Sequence, residues 1–216
     1  MTDLGRIILV TGHYGSGKTN LAVNFAVDYA KAGERVTIID LDIVNPYFRT
    51  ADFAELFGGL GIKLIAPQFA NSNLDIPSLG IDMAAAAAGC DRLINDVGGD
   101  DSGAIALGQY STVLNNLGCS LYYVVNRYRY LTRTPEEAVE LLRDIEQASR
   151  IRAKGIINCS NLGQDTTAVD VISTADYALE CGRAAGIPVT LTAAQRSLCV
   201  EGAYPVDVYV RPFWEE

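Results

Sequence analysis

The chain has a single histidine, and its five cysteines (90, 119, 159, 181 and 199) include no CxxC or CxC pair. Clustered Cys/His metal sites need ligands at such spacings, so none is expected. An odd number of scattered thiols fits buried, small apolar side chains in a reducing cytoplasm better than a disulfide framework. Long hydrophobic runs are also missing. The first one, 7–10, is four residues long, and the alanine run 84–88 is closed by Gly89 and reads as a packed helix. Neither a secretory leader nor a membrane anchor is expected from segments this short. Positive charge is scarce as well: 17 Lys and Arg stand against 26 Asp and Glu, a formal net charge of −9. That balance argues against a general affinity for nucleic acid, which needs clustered cations. The one basic segment, Arg127 to Arg133 with Tyr128 and Tyr130 interleaved, reads as a solvated loop after a strand.

What is present is a regular alternation. Apolar, β-rich runs occur at 6–11, 35–40, 62–66, 92–97, 121–126, 155–159, 188–192 and 206–210. They are short and nearly continuous in hydrophobicity, as strands buried on both faces are. Helical stretches lie between them: 18–32, stopped by Gly33; 134 to about 150, opened by Thr134-Pro135-Glu136-Glu137 and periodic at Ala138, Leu141, Leu142 and Ile145; and 166–185, stopped by Gly186. Strands alternating with helices imply a single α/β domain over 1–216. The expectation is a mostly parallel sheet of about seven or eight strands with helices on both faces.

Between the first strand and helix, Gly12-His13-Tyr14-Gly15-Ser16-Gly17-Lys18-Thr19 fits G-x-x-x-x-G-K-[ST] at every fixed position. The glycines let backbone N–H groups wrap phosphates, and the helix N-terminus behind them, with Asn20 next in line, favours an anion. Lys18 can bridge the β- and γ-phosphates, and the Thr19 hydroxyl can ligate Mg²⁺. Such a site needs carboxylates at the C-terminal ends of neighbouring strands. Leu93-Ile94-Asn95-Asp96-Val97-Gly98-Gly99 supplies Asp96, to hold a Mg²⁺-bound water, and Gly99, whose N–H can sense a γ-phosphate. The stretch 98–101 would then be a switch. Thr37-Ile38-Ile39-Asp40-Leu41-Asp42 supplies two more acids, one to support Mg²⁺ and the other to orient an attacking water.

On GHYGSGKTNLAVNFA, VTIIDLDIVNPYFRTAD and LINDVGGDD the chain resembles the ParA/MinD-type P-loop ATPases of the CobQ/CobB/MinD/ParA group. The resemblance implies ATP rather than GTP, a homodimer around the nucleotide, and slow hydrolysis that toggles binding of a protein partner. It also implies the water-orienting position for Asp42, leaving Asp40 with the metal. Asn158 and Asn161 sit where relatives place an adenine-contacting loop, and Asn126 competes for that role. Two departures stand out. His13 occupies the place of a second loop lysine, with Arg49 the alternative cation, and no basic amphipathic helix ends the chain. A metallochaperone, another role in the group, would need a Cys pair. The alternative function is an ATP-dependent ligase or kinase of the dethiobiotin synthetase/CobB type, with a small carboxylate or hydroxyl bound near 71–78 and 127–133. A third is a nucleotide-binding scaffold that hydrolyses nothing.

Overall fold

A computed structural model of the chain describes residues 3–42, 50–66, 80–99 and 101–210. Arg49, the stretch 71–78, Asp100 and the tail 211–216 lie outside the described residues.

The elements run β1 (Ile7–Thr11), α1 (Lys18–Lys31), β2 (Val36–Leu41), α2 (Ala54–Gly59), β3 (Lys63–Ile65), α3 (Met83–Ala88), β4 (Arg92–Val97), α4 (Asp101–Gln109), α5 (Ser111–Asn116), β5 (Ser120–Val125), α6 (Pro135–Ser149), β6 (Ala153–Asn158), α7 (Ala168–Ile172), α8 (Ala175–Ala185), β7 (Val189–Gln195) and β8 (Tyr204–Val206). All eight strands form one sheet in the order β3-β2-β4-β1-β5-β6-β7-β8, and every pairing is parallel. This is the expected architecture. Strands β1, β2 and β5 are buried at every residue, which is why their sequences lack a polar alternation.

Two apolar layers cover the sheet. On one face Phe25 and Tyr29 of α1 and Phe57 of α2 pack on Ile8, Val10, Ile38 and Ile94. On the other, α3 to α6 and α8 bring Met83, Leu107, Leu114, Leu142 and Cys181 onto Leu9, Ile39, Leu93 and Leu121. The strand order places the site. β1 lies between β4 and β5, so the chain turns one way after β1 to reach β2 and the other way after β4 to reach β5. Loops at the C-terminal ends diverge there and leave a crevice for a ligand. Helix α6 starts as its sequence announces: Thr134 Oγ1 accepts the Glu137 N–H at 3.3 Å, Glu137 Oε2 accepts the Thr134 N–H at 3.2 Å, and Pro135 opens the first turn. A capping box of this kind contributes on the order of 1 kcal/mol.

Two expectations are corrected. The helix read over 166–185 is two helices, α7 and α8. Hydroxyls in the turn take the carbonyls that a continuous helix would use: Ser173 Oγ donates to Asp170 O at 2.9 Å and Thr174 Oγ1 to Val171 O at 2.7 Å. Tyr128 Oη adds a bond to Asp170 O at 3.0 Å. The strand read over 206–210 is β8, Tyr204–Val206, and ends where side chains of α1 capture the backbone. Asn24 Oδ1 accepts the Asp207 N–H at 2.7 Å, and Asn20 Oδ1 accepts the N–H groups of Tyr209 and Val210 at 2.8 and 3.1 Å. Backbone bound this way has nothing left for a sheet ladder. Helices α2, α4 and α5 carried no clear sequence signal, α4 holding Gly103 and Gly108 in its interior.

Candidate nucleotide-binding site

The loop from Gly12 to Gly17 leaves β1 and turns into α1. Gly17, at φ 96°, is the N-cap in a left-handed conformation that glycine adopts without strain, and no side chain caps the helix. The first-turn N–H groups of α1 are thus available to an anion. Lys18, the first residue of α1, is 4% exposed and points beneath the loop.

Three acids meet it there. Asp40 and Asp96 stand side by side in the β2–β4 register, and Asp96 is opposite Val10 of β1. They alternate in phase with Ile38 and Ile94, so they share the face that α1 covers. Lys18 Nζ forms an ion pair with Asp42 Oδ2 at 2.9 Å, both side chains 5% exposed, and the Asp42 N–H donates to Asp40 Oδ1 at 3.0 Å. Thr50 Oγ1 donates to Asp96 Oδ2 at 2.7 Å. Burial opposes the charge on Lys18, but Asp96, Asp42 and Asp40 more than offset it and hold the ammonium above its usual range. Asp96 is fully buried, and burial raises it despite Lys18 and the hydroxyls of Thr50 and Thr19.

Two buried polar atoms beside this cluster have no hydrogen-bond partner: Asp96 Oδ1 and Ser16 Oγ. Buried oxygens of that kind are normally satisfied, so the pair marks where a bound group fits. Phosphate oxygens and a hydrated Mg²⁺ suit this donor set, with the hydroxyls of Ser16 and Thr19 and the carboxylate of Asp96 as the available ligands. No group of three or more His, Cys, Asp and Glu among the described residues is arranged to hold a metal unaided.

Gly99 closes the other side of the loop. A Cβ on it would overlap the Gly12 carbonyl oxygen and lie 3.0 Å from the carbonyl carbon of His13. The Gly99 backbone is thereby pressed onto the phosphate loop. Gly99→Ala is expected to cost about 2 kcal/mol of stability by overpacking and to weaken nucleotide binding as well. Gly58, with open space around it, is the control: Gly58→Ala should leave a urea-denaturation midpoint unchanged or raise it.

Beside the loop opens a cleft of about 730 Å³. One wall is the loop after β6, including Ser160, Asn161 and Gly163. The other is apolar, from Ala193 and Ala194 to Val206, Val208 and Val210. Tyr14, Gly15, Gly17, Lys18, Thr19 and Asn20 line its phosphate end, and Arg129 joins them. Among the described residues its charged lining is Lys18 and Arg129. His13 is half-buried beside Lys18, and both burial and that lysine push its imidazole below its usual range, towards neutrality.

Asn158 does not face the cleft. It is fully buried, its amide donates to Thr174 Oγ1 at 3.0 Å, and its Oδ1 accepts from the N–H and Oγ of Ser160. Its hydrogen bonds are used in shaping the loop. Asn126 is likewise buried and ties the Tyr128 N–H to the Asn161 N–H through Oδ1. Asn20 borders the cleft, but its amide is committed to the backbone of 207–210. Thr50, Gln195 and Arg129 were not singled out individually by sequence. Only the basic run around Arg129 hinted at a role.

Residues 7–157 match the family model of the CobQ/CobB/MinD/ParA nucleotide binding domain. The chain belongs to that family. Within it, the chain is an atypical member, with His13 where a second loop lysine is expected. The fold is shared with FtsY from Mycoplasma mycoides (17% identity, TM-score 0.62, covering 96% of this chain and 65% of that one). It is shared too with the cell division protein FtsY from Thermotoga maritima (18%, 0.59, 94% and 65%). The Signal Recognition Particle 54 kDa protein from Aeropyrum pernix, solved in complex with GDP, is also similar (16%, 0.60, 94% and 44%). The chain thus spans about two thirds or less of the length of these structures. No curated protein sequence matches it. The matched span includes the loop from Gly12 to Thr19. No helix among the described residues is long and apolar enough to cross a membrane.

Proposed function

We propose that this chain is a Mg²⁺-dependent ATP-binding protein, a slow ATPase whose nucleotide state switches its conformation and the binding of a protein partner. The observation that carries this reading is the Lys18–Asp42 ion pair. The lysine that should meet the phosphates is held by the acid at which β2 leads into the segment 43–49. A triphosphate entering the loop competes with Asp42 for Lys18, so occupancy and the position of Asp42 are coupled. Released from Lys18, Asp42 is the group to orient an attacking water. Gly99, packed on Gly12, is the candidate to sense a γ-phosphate through its N–H. Thr19, Asp96 and Asp40 are the candidates to hold Mg²⁺ and its waters, and the ion supplies charge neutralisation to the transferring phosphoryl group. Backbone N–H groups from Gly12 to Asn20, with His13, Tyr14, Ser16 and Lys18, surround the phosphates.

ATP is favoured over GTP because the sequence contains no N-K-x-D segment, whose acid would accept from the guanine ring N–H and amino group. The amides of Asn161 and Gln195 are the polar groups at hand for adenine. A homodimer and a cytoplasmic location belong to the same reading.

Titration with ATP and GTP, combined with hydrolysis measured over a protein-concentration series, tests it. ATP should bind more tightly, and the specific rate should rise with concentration. In Asp42→Asn the competitor for Lys18 is weakened while a water-orienting carboxylate is lost. Affinity for ATP should therefore rise about fivefold while turnover drops by about 100-fold. Unchanged affinity and unchanged turnover together would remove Asp42 from both roles.

A further inference from the structure

The guanidinium of Arg129 rests against the phosphate loop. Its Nε donates to the Gly15 carbonyl at 3.0 Å, and Nε, Cδ and Cζ lie 3.4 to 3.8 Å from where a Gly15 side chain would begin. The turn that carries it is braced on both sides. The Asn126 carbonyl accepts the Arg129 N–H at 3.1 Å and Thr132 Oγ1 at 2.8 Å, and Tyr177 Oη donates to the Thr132 carbonyl at 2.5 Å. The same Asn126 also fixes Asn161 on the facing wall of the cleft. Arg129 thus reaches the loop from a rigid support.

Its charge has no local use. Arg35, Arg92, Arg143, Arg152 and Arg196 each pair with a carboxylate, whereas Arg129 has no acidic partner among the described residues. Beneath the loop the balance is the reverse: Lys18 is shared among Asp42, Asp96 and Asp40, and His13 is held towards neutrality. A polyphosphate entering here meets a floor with more acid than base. One further fixed cation on the open side would offset that excess, and Arg129 occupies this place.

We propose that Arg129 is a second phosphate-binding cation of this site, its terminal guanidinium nitrogens donating to non-bridging oxygens of the nucleotide while Nε keeps hold of Gly15. The assignment rests on the nucleotide reading above and adds a residue from outside the loop motif. Guanidinium suits the task because its planar fork keeps several donors in fixed directions. The braced turn lowers the ordering cost of using them.

The test is displacement of a fluorescent nucleotide by ATP, GTP and their parent nucleosides, for the intact chain and for Arg129→Gln, Arg129→Lys and Lys18→Ala. Arg129→Gln is expected to weaken triphosphate binding about tenfold and leave the nucleosides unchanged. The difference should shrink at high salt, as it does for a partly exposed charge. Arg129→Lys should recover only part, since one ammonium cannot both hold Gly15 and reach the phosphate. Equal weakening of nucleoside and triphosphate would show a purely structural role and overturn the proposal. So would unaltered triphosphate binding in Arg129→Gln beside a defective Lys18→Ala. If the unmodified chain displaces nothing with any triphosphate, the nucleotide reading itself fails and this proposal with it. Should Arg129→Gln melt early, the triphosphate-to-nucleoside ratio in Arg129→Lys decides the matter.

Discussion

Lys18→Ala is expected to lower triphosphate affinity by at least about 100-fold and to destabilise the nucleotide-free protein by roughly 3 kcal/mol. Both effects come from one ammonium. It is the buried cation at the phosphate end of the cleft, and it is ion-paired to Asp42 with Asp96 and Asp40 close by. Removing it leaves Asp96, already raised by burial, without the cation that opposes that rise, so its folded-state pKa climbs further above the unfolded one. An acid raised in this way carries no penalty below its unfolded pKa, near 4, and the full penalty above its folded pKa. The stability deficit of Lys18→Ala should therefore be largest at neutral pH and shrink as the pH falls towards about 4. Urea denaturation of both proteins at several pH values, alongside a nucleotide titration, reads out the two effects separately. A deficit independent of pH would show that Lys18 stabilises through packing and not through the acids.

Asp96→Asn should separate chemistry from folding. Asp96 is fully buried, one of its oxygens has no partner, and burial already raises its pKa. Neutralising it removes a desolvated charge and retains an acceptor for Thr50, so stability should change by less than about 1 kcal/mol. Hydrolysis with Mg²⁺ should fall by 100-fold or more, about 2.7 kcal/mol of transition-state stabilisation. Nucleotide binding without Mg²⁺ should be little affected, because the group lost acts on the cation. A variant that hydrolyses at the original rate would exclude Asp96 from the metal site.

The parts of this molecule that could be read from sequence are those set by neighbours in the chain. Arg92–Val97 was expected as a strand with the bounds it has, because the buried Leu93, Ile94 and Val97 give it an apolar, β-rich character. Helix α6 was legible from its cap, proline and periodic core. The segment 166–185 was misread because its periodicity runs through Ser173 and Thr174. What breaks the helix is a set of side-chain bonds to the backbone, one of them from Tyr128 on a distant element, while Asn158 donates to the Thr174 hydroxyl. The end of β8 was misread for a similar reason, since the asparagines that claim 207–210 lie on α1.

The phosphate loop shows the same division. Glycine spacing, a preceding buried strand and a following helix make Gly12 to Thr19 legible by themselves as a phosphate-loop motif, since the requirement is local backbone geometry. Asp40, Asp42 and Asp96 were candidates because acids at strand ends in an α/β pattern gather at one edge of the sheet. Only the tertiary structure decided that Lys18 is held by Asp42, that Thr50 supports Asp96, that Asn158 is turned inward, and that Arg129 rests on Gly15. These are contacts between residues 16 to 114 positions apart. They depend on strand order and on which face each side chain shares, and the parallel pairing of β4 between β2 and β1 sets both.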